Sequence, residues 1–118
     1  MLTAHHIVAF LVIAVCFVSA AAALIAYRRG RGAGRLVAQL LALAQTVLVA
    51  QVGLGLLLLG HHRRAADRLH YLYGTLALLA TLSPWLYAPS EPRRRLAWFG
   101  GATLLAGALA IRAYTTAT

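Results

Sequence analysis

The sequence predicts an all-α integral membrane protein, an antiparallel four-helix transmembrane bundle. Three observations carry that expectation. Of the 118 residues, 62% are hydrophobic and 11% charged, against about 25% charged in a soluble domain. The apolar residues fall in four long runs, each at or near the roughly 20 residues that a helix needs to cross a bilayer. The links between runs are short, so sequential helices run antiparallel within one domain, residues 1–118. A continuous helix also satisfies its own backbone where lipid offers no hydrogen bonds.

The first run is Thr3–Tyr27. A secretory signal carries positive charge ahead of its apolar segment. Here no arginine precedes the run and four follow it, so it reads as a span. The second, Leu36–Gly60, contains LVAQLLALAQTVLVAQVGLGLLLL, which lacks the apolar–polar alternation of a barrel strand. Its glutamines, Gln39, Gln45 and Gln51, point about 120° apart at helical pitch. They read as separate interhelical hydrogen bonds, with Gln39 interfacial, and not as one polar stripe. The third run, Leu69–Tyr87, carries Pro84 near its end, where a kink or an early stop is expected. The fourth, Leu96–Tyr114, has Ala102, Ala106 and Ala110 at i+4 spacing beside Gly100, Gly101 and Gly107, which lets helices approach closely. That face packs within the bundle or serves another membrane subunit or a second copy of the chain.

The formal charge is +9 and every basic residue is Arg. The arginines sit in the connections, bordering lipid, and no separate basic domain exists to present them to nucleic acid. Arg28, Arg29, Arg31, Arg35, Arg93, Arg94 and Arg95 share one side; Arg63, Arg64, Arg68 and Arg112 share the other. Positive charge favours the cytoplasm. The expected placement is a multi-pass protein of the cell membrane, a bacterial inner membrane, with both termini outside. Tyr27, Trp85, Tyr87 and Trp98 near the inner ends, and Tyr71, Tyr73 and Tyr114 near the outer ends, fit an interfacial aromatic belt. The single cysteine, Cys16, forms no internal disulfide. No acidic residue lies inside a span, so a carboxylate proton relay is absent.

The five histidines carry the functional signal. His5 and His6 open the first span, His61 and His62 close the second, and His70 opens the third. Four antiparallel helices put all five on one side of the membrane. On the third helix, His70 has Gly74 one turn inward, followed by Ala77 and Leu78. Glycine there leaves a flat patch on which a planar macrocycle can lie. On the first helix, His5 heads a small-residue face of Ala9, Val12, Cys16, Ser19, Ala20 and Ala23, whereas His6 heads the bulkier Phe10, Ile13, Phe17 and Leu24. His5 is therefore expected to point into the bundle, with His6 in reserve. His5 and His70 are candidate axial ligands of one haem iron, b-type being the expected form. Arg63, Arg64 and Arg68, in the outer connection, suit its propionates.

Gln51 and Gly55 on the second span, with His70 and Gly74 on the third, resemble the half-repeat of the haem A synthase family. There a Gln-x-x-x-Gly helix leaves the membrane and the next re-enters with a haem-ligating histidine. His5 occupies the place of that family's preceding histidine. The resemblance covers about 70 residues. It implies bis-histidine haem near the outer face, serving electron transfer or haem handling. The family has two such halves and this chain one, and Ala4 and His6 stand where the family has Glu and Arg. The resemblance thus speaks to haem binding more than to haem oxidation.

Two other classes compete: a non-catalytic subunit of a larger respiratory membrane complex, and a copper- or zinc-handling protein using the paired histidines. No phosphate-binding loop, His-Glu-x-x-His zinc spacing or serine triad is present.

Overall fold

In the computed structural model, described for residues 2–30, 34–60 and 69–116, all regular secondary structure among the described residues is helical. The elements are α1 (Leu2–Arg28), α2 (Gly34–Gly60), α3 (Leu69–Leu82), α4 (Pro84–Tyr87) and α5 (Pro92–Thr116). Three of these are long and apolar enough to cross a membrane: Thr3–Arg28, Gly34–Leu58 and Pro92–Thr115. Bulky apolar side chains such as Phe10, Leu56 and Leu86 point outward from the helices, an arrangement that lipid tolerates and water does not.

The third expected span is divided. Proline lacks an N–H, and its ring crowds the carbonyl four residues back, so Pro84 leaves Ala80 O without its helical donor. Ser83 Oγ donates to that same oxygen at 2.9 Å. Ser83 itself keeps helical dihedrals, φ −58° and ψ −34°. The chain from Leu69 to Tyr87 thus continues past the break with the stranded carbonyl repaired, and at 1.5 Å per residue it would measure about 28 Å. Ser83→Ala should destabilise the protein by about 1 kcal/mol. In a Pro84→Ala background, where the N–H is restored, it should cost almost nothing. A double-mutant cycle of thermal unfolding measures the difference, and equal costs would refute the repair.

Local caps set the other boundaries. Gly30, at φ +71°, is the left-handed residue that closes α1. α5 begins at Pro92, four residues before the expected start of the span, because Glu91 caps it. The carboxylate accepts from Arg93 N at 3.0 Å and Arg94 N at 2.8 Å, and Pro92 at the first helical position loses nothing. The hydrogen bonds from Arg94 and Arg93 hold the Glu91 carboxyl below its usual range. Arg93 also ties α5 to the end of α1: its Nε and Nη2 donate to Tyr27 O at 3.3 and 3.2 Å, and its guanidinium lies 4.6 Å from the centre of the Tyr27 ring.

The α1–α2, α2–α3, α1–α5 and α3–α5 pairs are antiparallel. α1 meets α2 through Ser19 Oγ, which donates to Leu40 O at 2.9 Å. α2 meets α3 through Gln45 Nε2, 3.4 Å from Thr81 O, and α4 through Trp85 Nε1, which donates to Gln45 Oε1 at 3.0 Å. α1 and α3 both pack along α5, while α2 and α3 meet over a shorter length. The core is small: Val12, Cys16, Ala44, Leu48, Ala77 and Ala106 form one buried cluster, and Ala23, Leu41, Leu96 and Phe99 form another. The α1–α5 seam is tight. A Cβ on Gly100 would stand 3.1 Å from Ala23 Cβ, and one on Gly107 would stand 3.2 Å from Cys16 Cβ. Gly100, Ala106 and Gly107 of the fourth run are therefore used within the bundle, whereas Gly101 is exposed.

Candidate functional site

The antiparallel order gathers the start of α1, the end of α2, the start of α3 and the end of α5 at one end of the bundle. His5, on the small-residue face of α1, is 9% exposed, and His6, on the bulky face, is exposed. The His5 and His70 rings face each other with centroids 6.1 Å apart and planes at 78°. These are the only two histidine rings brought together among the described residues. His61, His62, Arg63, Arg64, Arg68 and Asp67 lie outside the described residues.

The two rings are held differently. His70 Nδ1 lies 2.7 Å from Ala113 O on α5. A carbonyl only accepts, so Nδ1 carries the proton, and in the neutral ring Nε2 keeps its lone pair. That tautomer is the one a metal-ligating histidine uses, with the second nitrogen anchored to an acceptor. His5 is positioned through its backbone instead. Gln51 Nε2 donates to His5 O at 3.0 Å. The His5 ring rests over Gly55, where a Cβ would lie 3.4 Å from Cε1. His5 Nδ1 and Gln51 Oε1 are buried without a hydrogen-bond partner.

Gly74, one turn inward from His70, is half-buried, and no other atom lies within 4 Å of the position a Cβ would take there. The patch beneath His70 is therefore open. Aromatic and cationic groups frame this end. Phe10 and Tyr114 stand 5.0 Å apart, His70 and Tyr71 5.6 Å apart, and the Arg112 guanidinium lies 5.6 Å from the centre of the Tyr73 ring.

Sequence reasoning did not find the Ala113 carbonyl, because a backbone oxygen leaves no mark in the residue pattern. It gave Arg112, which sits beside Tyr73 at the histidine end, no part in the site and counted it only in the charge distribution between the two sides. Gly55 entered through the resemblance alone, and Gln51 through the resemblance and the glutamine spacing; the structure brings both against His5. Gln45 and Gln51 make the separate interhelical bonds expected of them, and Gln39 is exposed.

The donor set in hand is two imidazoles from different helices, one with its tautomer set. Among the described residues no three His, Cys, Asp or Glu side chains gather into a metal cluster. Two facing imidazoles with open helix surface alongside fit the axial needs of a haem iron. A four-ligand structural zinc site asks for more donors than the described residues bring together. No family model, curated protein or solved structure matches the chain.

Proposed function

We propose that this chain is a small four-span membrane haem protein. In this reading it holds one b-type haem between His5 and His70 near the outer face, and serves electron transfer or haem handling. The observation that carries the reading is the facing His5–His70 pair, with His70 Nδ1 anchored to Ala113 O. An imidazole bound about 2 Å from a metal puts its ring centre about 3 Å away, so two rings on opposite sides of one ion stand about 6 Å apart. The separation of 6.1 Å suits that arrangement. It also suits an edge-to-face contact between free rings, so the spectrum decides.

Haem supplies a one-electron couple when bound. The protein's part is to present two neutral nitrogens, to keep the pocket within an apolar bundle, and to offer cations at the rim for the propionates. Arg63, Arg64 and Arg68 are the sequence candidates, and Arg112, at the same end, joins them. The resemblance to a haem A synthase half-bundle points the same way through Gln51, Gly55, His70 and Gly74. Protein produced with a haem supply should show a Soret band and, once reduced, a sharp alpha band. A well-folded colourless product would remove the reading and leave the complex-subunit alternative.

The fourth span in this proposal is Leu69–Tyr87, made of α3 and α4 across the repaired break. The arginine distribution places both termini outside. A cysteine introduced at Gly32 should label only from the cytoplasmic side. Labelling from outside would reverse the orientation without separating His5 from His70.

A further inference from the structure

The two histidines differ in how they are tethered, and the difference bears on what else the site binds. A metal-bound histidine almost always donates its second N–H to an acceptor. That bond fixes the ring, raises its basicity, and is worth about 10–100-fold in metal affinity. His70 has it, at 2.7 Å to Ala113 O. His5 does not: its Nδ1 is buried without a partner, and the hydrogen bond from Gln51 goes to the backbone carbonyl and leaves the ring unheld. Under the ring lies Gly55, whose own position offers no side chain to lock it. His5 also sits in the first turn of α1, where the amides lack intrahelical carbonyl partners and the helix end is weakest. On His70's own helix, Gly74 leaves open space on the inward side.

We propose that His70 is the fixed ligand and His5 the exchangeable one, so that the reduced site takes up a small neutral diatomic molecule in place of His5. This rests on the haem reading above. The step is a ligand exchange. The bond to His5 Nε2 breaks, His5 leaves as neutral imidazole, and a bond to the incoming molecule forms. No proton or electron moves. Neutral diatomics are the class that fits, because His5 leaves as a neutral ligand and so leaves no charge to be balanced. An anion would face two buried groups without partners and no described cation beside His5.

Carbon monoxide is the probe. The dithionite-reduced wild-type protein, first shown to be coloured and six-coordinate, is titrated with the gas while the Soret band is followed. The expected result is a carbon monoxide complex in the wild type and an affinity at least about 10-fold tighter in His5→Ala, where no internal ligand competes. Should His5→Ala fail to fold, His5→Asn serves the same comparison. A wild-type protein that stays six-coordinate under saturating gas overturns the exchange and leaves the haem reading standing. So does an equal affinity in wild type and His5 variant, since the departing ligand is then not His5. A colourless starting protein is seen before any gas is added and ends the haem reading itself.

Discussion

His70→Ala is expected to abolish the haem spectrum of the purified protein. The substitution removes the ring whose Nδ1 the Ala113 carbonyl holds, and with it the free Nε2 that the proposal makes the ligand. Loss of an outer-shell partner alone costs about 10–100-fold in metal affinity, so loss of the ligand itself should cost more than 100-fold in haem retention. His5→Ala should retain haem but convert it from six- to five-coordinate, because the other imidazole remains. His6→Ala should do neither, since His6 is exposed while His5 is buried. His61→Ala and His62→Ala should leave the spectrum nearly intact. Absorption spectra of the oxidised and reduced forms separate these outcomes. If His6→Ala changes the coordination and His5→Ala does not, the wrong neighbour has been chosen and the haem reading survives. If His70→Ala matches the wild type, the proposed site is wrong.

Ala106→Leu is the second change of large expected effect, this time on stability. Ala106 is fully buried in the cluster formed by Val12, Cys16, Ala44, Leu48 and Ala77. Thr103, one turn before it, and Gly107, the next residue, are also buried, and Gly107 is already closed against Cys16 and Phe17. A leucine has nowhere to go without parting α5 from α1. Overpacking of this kind costs about 1–3 kcal/mol. Thermal unfolding in detergent should show a lowered midpoint with no new oligomer on size exclusion. An unchanged midpoint with a changed assembly state would mean that the alanine face serves another chain. The control is Ala108→Leu, an exposed position on the same helix, which should be close to neutral.

Much of the architecture was legible because single-residue chemistry dictates it. Run length and low charge imply helices that can cross a membrane, and short links imply antiparallel neighbours. Pro84 implies a break, and the structure breaks there. That His5 points into the bundle and His6 away from it was legible too, but not from hydropathy. Lipid and bundle interior are both apolar, so apolar character does not tell one helix face from the other, and only side-chain size does. The run of Ala9, Val12, Cys16, Ser19 and Ala23 marked the inward face of α1, and His5 lies on it.

The pairing of helices required tertiary structure. Sequence order makes α1 and α2 neighbours, but nothing in it says that α1 lies against α5 through Gly100 and Gly107, or that Arg93 reaches back to Tyr27 O. Those contacts depend on which small faces happen to be complementary, a relation between two distant segments. The anchor of His70 has the same origin. Its partner is a backbone oxygen 43 residues away, and every residue has such an oxygen; only the docking of α3 on α5 selects Ala113. The sequence by itself determined which residues arrive at the histidine end of the bundle. Tertiary packing decided which hydrogen bond holds each there, His70 through its ring to a carbonyl and His5 through its backbone oxygen, because a hydrogen bond across helices needs an alignment that no local pattern encodes.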